Sequence, residues 1–290
     1  MTDLFEEIVR LRREGTPAAL ATIVATRGST PGREAMRLLV REDGTFLGTV
    51  GGGCLEAEVF ATARRVIATD RPETLSFRLT EFDSPDSGLL CGGEVTVFVE
   101  AITVPGLLVF GGGHISRVLC QVATMAGFRV TVADDRQSFA EAARFPEAAQ
   151  VLCAPFPELA ATAPVRSNTY VVVVTRGHKD DGVVLAGLSR RAEQARFVGM
   201  IGSKTKRAVL FRSLREEGVA EAWLQRVRSP VGVAIGARTH EEIAVSIVAE
   251  LIRVRRVGND AGAEWAEYKS TNRGARPAPA AAVDPAPKGS

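Results

Sequence analysis

Leu4, Ile8 and Leu11 share one face of a helix between Asp3 and Gly15, and Asp3 with Glu6 reads as its capping box. Beyond Gly15 the apolar period shortens. Ala19–Ala25 and Met36–Arg41 read as strands, Asp43-Gly44 as a hairpin turn, and Phe46–Val50 as the returning strand. Gly51-Gly52-Gly53 breaks that strand, and a helical pattern runs from Cys54 to about Thr69. Strands near Thr74–Leu79 and Glu94–Ala101 bracket a loop ending Leu89-Leu90-Cys91-Gly92-Gly93. This order predicts an α+β domain over residues 1–104 with a mostly antiparallel sheet.

After Thr103-Val104-Pro105-Gly106 the pattern alternates. Strands read at Leu107–Phe110, Arg129–Ala133, Gln150–Leu152, Tyr170–Thr175 and Phe197–Ile201, with helices after the first, second, fourth and fifth, the second of them short. One helix ends at Gly127, one starts near Asp180, and one starts at Ser203. Val171–Val174 is apolar throughout, as a strand buried on both faces requires. A last helix, Thr239–Val254, opens on the capping box Thr239–Glu242. The α/β reading is therefore an N-terminal α+β domain and a C-terminal Rossmann-like doubly wound parallel sheet over residues 105–257. Residues 258–290 turn to Gly, Ala and Pro and read as a disordered tail.

Composition narrows the function classes. The 290 residues are 46% hydrophobic, enough for two cores, and the net charge of +2 offers no basic surface for nucleic acid. The two tryptophans make an aromatic platform for bases improbable. No apolar run reaches the roughly 20 residues of a membrane span. The acidic start Asp3-Leu4-Phe5-Glu6-Glu7 is unlike a basic leader, and four widely spaced cysteines read as free thiols of a cytoplasmic protein.

Gly111-Gly112-Gly113-His114-Ile115-Ser116 is the most informative motif, because a strand precedes it and a helix follows. Glycines let the backbone approach a phosphate, and the N–H groups of the new helix point at the anion. Ser116 stands where a third glycine is usual. Asp134 follows Gly111 by 23 residues, near the spacing of the acid that takes a ribose hydroxyl, while Asp135 and Arg136 blur whether a phosphorylated ribose would be excluded. His114 should lie beside any bound phosphate. Arg176 and His178 follow one strand and Lys204 another, all at the carboxyl edge where open α/β sheets bind ligands. Each alone reads equally as an exposed loop residue. His240 reads as structural.

In the first half, Cys54 begins a helix after Gly52-Gly53, where the helix dipole favours thiolate. A small buried hydrophobe is the alternative, and Glu56 can simply complement the helix start. Cys91, before Gly92-Gly93, reads equally as core residue or ligand; together with Cys54 it could hold a soft metal or a transferable sulfur. Arg27-Gly28-Ser29-Thr30-Pro31-Gly32 reads as an anion-binding loop or a solvated turn. Cys120 and Cys153 are assigned to packing.

Ala25–Pro31, Gly48–Glu56, Cys91–Gly93, Gly111–Ile115, Thr175–His178, Gly199–Ser203 and Ile235–Ala244 together resemble the XdhC/CoxI family, accessory proteins of xanthine dehydrogenase and related molybdenum hydroxylases. The likeness spans residues 5–255, and departs where His240 stands in place of a proline. It implies a homodimeric accessory factor that binds molybdenum cofactor (molybdopterin), supports its sulfuration with a cysteine desulfurase, and delivers it to an apo molybdenum hydroxylase. The cofactor carries a phosphate, in some forms a dinucleotide, which suits Gly111, Gly113 and Asp134. Its metal–sulfur end suits Cys54. The resulting expectation is cofactor between the two domains, phosphate toward His114 and metal toward Cys54. The rivals are an NAD(P)-dependent oxidoreductase, against which stands the lack of a positioned Tyr/Lys pair, and a regulatory protein on a vestigial nucleotide fold.

Overall fold

The computed structural model describes residues 3–78, 93–102, 104–191 and 195–258. The first half comprises α1 (Leu4–Glu14), β1 (Ala18–Arg27), β2 (Arg37–Arg41), β3 (Phe46–Gly48), α2 (Gly53–Thr69), β4 (Glu73–Arg78) and β5 (Glu94–Ala101). Its five strands form an antiparallel sheet in the order β3-β2-β1-β5-β4. Asp3 caps α1 by accepting from the N–H groups of Phe5 and Glu6, and Gly15 closes it in the left-handed conformation. The Asp43-Gly44 turn forms as expected, with Asp43 accepting from Thr45.

Alternation decides the two faces of this sheet. Ala19, Ala21, Ile23, Val95, Val97 and Val99 pack under Leu55, Val59, Ala63 and Val66 of α2. On the opposite face, Leu11 of α1 packs on Ala18 and Leu39. Glu7 is buried there and is held by Arg10 and Arg41, each at 2.7 Å.

The second half comprises β6 (Gly106–Phe110), α3 (His114–Met125), β7 (Arg129–Asp134), a 3-10 turn at Ala142–Arg144, β8 (Gln150–Cys153), α4 (Phe156–Thr162), β9 (Thr169–Val173) and α5 (His178–Ser189). It continues through β10 (Phe197–Met200), α6 (Lys204–Glu216), α7 (Glu221–Arg226), β11 (Val227–Arg228) and α8 (His240–Val257). The six strands are parallel, in the order β11-β10-β9-β6-β7-β8. Counted along this half, that is the 3-2-1-4-5-6 order of a dinucleotide-binding fold, with its switch point between β6 and β9. Leu107 and Val109 face α3 and α8, whereas Leu108 and Phe110 face α4 to α7. The helix expected near Asp180 begins at His178. The short α4, α7 and the two-residue β11 lie outside the elements that the hydrophobic pattern predicts. Among the described residues, no helix is long and apolar enough to cross a membrane.

The two halves meet at the amino edge of the parallel sheet. Glu42, in the β2–β3 turn, accepts from Ser167, and Asn168 Nδ2 donates to Val104 O at 3.2 Å. Arg196, just before β10, donates to the carbonyls of Ala68 and Thr69, acceptors that the end of α2 leaves open. Arg255 near the end of α8 pairs with Asp70 at 2.7 Å, and Arg71 reaches the Val257 carbonyl.

Candidate functional site

Two clusters form, one at each extreme of this arrangement. In the first half, the far end of β1 gives way to the Arg27–Gly32 loop, and the segment entering β5 packs against it. A Cβ at Gly93 would stand 2.2 Å from Ser29 O and 2.7 Å from Arg27 O. The turn before α2 leans on the same loop, since a Cβ at Gly51 would meet Gly32 N at 2.9 Å. Glu56 reaches back to accept from Thr49 Oγ1 and from the Val50 N–H at 3.3 Å, which pins the turn ahead of Cys54. Arg27, Ser29, Gly53 and Cys54 are exposed, and nothing stands within 4 Å of a Cβ built at Gly52 or Gly53. Gly52, the residue before the helix, provides no side-chain cap, so the thiol shares the positive end of α2 with open backbone. Cys91 lies outside the described residues.

In the second half, Gly111 sits at the switch point. Its φ is 109°, and a Cβ there would stand 2.3 Å from Val174 O, so only glycine lets the end of β6 pass that close to β9. Gly113 precedes α3 without a side-chain cap and has open space around it. His114 is exposed, and its ring stacks on His240 with centroids 5.4 Å apart and planes 14° from parallel. Two helix N-termini, those of α3 and α8, thus stand side by side. His240, read from sequence as a structural residue, belongs to the same edge as the glycine turn.

Asp134 ends β7 and is fully buried. Its carboxylate accepts from the Gly112 N–H at 2.7 Å, from the Arg136 N–H and Nε at 2.9 Å, and from Arg136 Nη2 at 3.0 Å. Burial alone would raise this carboxyl, but the Arg136 guanidinium and the two N–H groups outweigh it and hold the group below the ordinary carboxylate range. The acid expected to take a ribose hydroxyl staples the glycine turn through the Gly112 N–H. Arg176 crosses from the end of β9 to Asp135 after β7, with paired contacts at 2.9 Å, and also meets Asp180 at 2.9 Å. Because β6 lies between β9 and β7, this bridge passes over the end of β6.

Beneath Arg176, Thr175 Oγ1 lies 2.6 Å from Asp181 Oδ1 and 3.0 Å from Gly177 O. Thr175 donates its hydroxyl to the Asp181 carboxylate, which ties the end of β9 to the first turn of α5. Burial pushes the Asp181 carboxyl up to about 6, against the hydrogen bonds it accepts from Thr175. Sequence reasoning did not single out Asp181, since nothing local distinguishes it from the neighbouring Asp180. His178 and Lys204 stand exposed at the first positions of α5 and α6, with Ser203 capping α6 through the Lys206 N–H at 3.2 Å.

The cysteines sort differently from expectation. Cys120 is fully buried in the α3 core, and burial pushes its thiol up to about 11. Cys153, assigned to packing, is exposed, because β8 is the edge strand and ends at that residue opposite Asp134. Among the described residues, no three His, Cys, Asp or Glu side chains converge to hold a metal ion.

The expectation of one cleft between the domains needs correction. The C-terminal end of α2 meets the parallel sheet at its amino edge, and Cys54 stands at the other end of that 17-residue helix, about 24 Å away. The glycine turn lies at the opposite, carboxyl edge. Within one chain the two clusters are at opposite ends.

A twisted parallel sheet of this strand order, with its glycine turn and buried acid, defines a Rossmann-type domain. Residues 107–251 match the XdhC Rossmann domain and residues 11–78 match the XdhC and CoxI family. The chain belongs to that family. It is 33% identical over 256 residues to the Escherichia coli (strain K12) protein YqeB, covering 87% of this chain and 46% of that one, so it spans about half that relative's length. It is 24% identical to a Bacillus subtilis (strain 168) protein named as a probable xanthine dehydrogenase subunit, covering 82% of this chain and 93% of that one. Identity to the molybdenum cofactor insertion chaperone PaoD of Escherichia coli (strain K12) is 26%, over 88% and 90% of the two chains. A crystal structure named as that of a xanthine dehydrogenase from Bacillus halodurans aligns with a TM-score of 0.48 and 24% identity, covering 88% of this chain and 96% of that one.

Proposed function

We propose that this protein is a cytoplasmic accessory factor that binds molybdenum cofactor, supports its sulfuration and delivers it to a xanthine dehydrogenase-type hydroxylase. The observation that carries this is the presence in one chain of a glycine turn at the switch point, open at Gly113, and an exposed thiol at a helix start. The names of the B. subtilis and PaoD relatives point the same way. Gly111, Gly113 and His114 are suited to the phosphate, with Arg176 above them. Cys54 is suited to the soft metal–sulfur end or to sulfur supplied by a cysteine desulfurase, and Arg27 and Ser29 offer donors beside it.

Because the clusters lie at opposite ends of a chain, one guest molecule meets both only if two copies pair antiparallel about a two-fold axis. Such a two-fold pair places each copy's thiol cluster on the other's cradle and creates two equal sites. The test is activation of the apo-hydroxylase by mixed chains. Cys54→Ala and Gly113→Asp proteins are each expected to be inactive, and mixing them under subunit exchange is expected to restore activity. A Cys54→Ala protein with undiminished cofactor binding and activation would remove Cys54 from the site. A mixture that stays inactive, although mixed pairs form, would end the shared-site arrangement.

A further inference from the structure

The strand order fixes where a dinucleotide would lie. Its pyrophosphate would sit at the start of α3, and its ribose at the acid ending β7. That second place is already filled by the chain's own side chains. Asp134 has no exposed surface, and its carboxylate, with about four acceptor positions, already accepts four hydrogen bonds. Three of these come from Arg136, so a ribose hydroxyl finds no free acceptor unless Arg136 leaves.

Arg136 is itself held. Its guanidinium carbon lies 3.6 Å from the centre of the Phe139 ring, and that of Arg144 lies 4.7 Å from the same ring. Arg144 Nη2 also donates to Gly112 O at 3.2 Å, and Nη1 to Ser138 O at 3.0 Å. The Phe139 carbonyl presses on the glycine turn, where a Cβ at Gly112 would stand 2.3 Å from it. Two guanidinium groups thus lie within cation–π reach of the one Phe139 ring, beside the acid where a ribose would have to enter. A Cβ at Gly113, in contrast, would meet nothing within 4 Å, and His114 is exposed beside His240.

We infer that the cradle takes a terminal phosphate monoester and refuses the nucleoside of a dinucleotide, with Arg136 and Phe139 as the residues that set this choice. This rests on the cofactor reading above and deepens it, since it selects the mononucleotide form of the cofactor. It also bears on the nicotinamide alternative, because NAD(H) needs the ribose place that Arg136 occupies.

The test is equilibrium binding of AMP, NADH, NADPH and the mono- and dinucleotide forms of molybdenum cofactor to the full chain under anaerobic conditions. For the wild-type chain, the mononucleotide form is expected to bind at least about tenfold more tightly than any of the others. An Arg136→Ala/Phe139→Ala protein is expected to gain about tenfold or more for AMP and for the dinucleotide form, because Asp134 is released. Wild-type protein that binds NADH or the dinucleotide form as tightly as the mononucleotide form overturns the inference while leaving the cofactor reading intact. This outcome depends on no variant folding. A folded double variant that gains nothing removes Arg136 and Phe139 from the role. Wild-type protein that binds neither form of the cofactor overturns the accessory reading itself, and this inference with it.

Discussion

Asp181 offers a quantitative handle on the carboxyl edge. It is 7% exposed, and burial raises its carboxyl from 3.8 to about 6 against the opposing hydrogen bonds from Thr175. The folded chain therefore holds this proton more tightly than the unfolded chain. The stability this provides is fully present below 3.8 and is lost as pH rises through about 6. That interval corresponds to about 3 kcal/mol, which at neutral pH acts as the cost of keeping an ionised carboxylate in an apolar setting. Asp181→Asn removes the ionisation, keeps the size, and leaves a carbonyl oxygen to accept from Thr175. Chemical denaturation of both proteins at about pH 4 and about pH 8 measures the effect. The variant should match wild type within about 1 kcal/mol at the acid end and exceed it by about 2–3 kcal/mol at the alkaline end. A stability difference that is the same at both pH values would refute the raised Asp181 carboxyl.

Glu7 should behave with the opposite pH window. The hydrogen bonds from Arg10, then Arg41, hold its carboxyl down to about 2 against burial, so its contribution is present above the usual 4.5 and lost as pH falls toward about 2. Glu7→Gln should cost about 2 kcal/mol at neutral pH by denaturant titration, with the half-exposed Arg10 limiting the effect, and almost nothing near pH 2. Gly112→Ala should lower stability by about 1–3 kcal/mol, because the new methyl overlaps the Phe139 carbonyl, and calorimetry would detect the shift. Iodoacetamide on the native protein, read by peptide mass, should modify Cys54 and Cys153 and spare Cys120, which should react only after unfolding.

Much of the scaffold was legible because its signals are local. Period-two alternation located β1 and β5, the continuous run at Val171–Val174 marked a strand buried on both faces, and Thr239–Glu242 announced α8 with its complete capping box. The glycine motifs were legible for the same reason, since Gly111 and Gly51 answer to close backbone approach. What escaped depends on contacts far apart in sequence. Cys153 follows an apolar run and looked internal, but only the strand order shows that β8 is an edge. Asp134 stands at the spacing of a ribose-binding acid, yet its partner Arg136 and the stack on Phe139 and Arg144 follow no motif. The separation of Cys54 from Gly111 is set by Arg196 and Arg255 gripping the end of α2, long-range pairs that no periodicity reveals.

The most direct measurement is the molybdenum and pterin content of the full chain purified without oxygen from a host that makes the cofactor. Equimolar metal and pterin phosphate, both lost in a Gly113→Asp protein, is the expected result. Protein that emerges carrying NAD(H), or carrying no metal and no pterin while the host's own hydroxylases are loaded, would overturn the assignment.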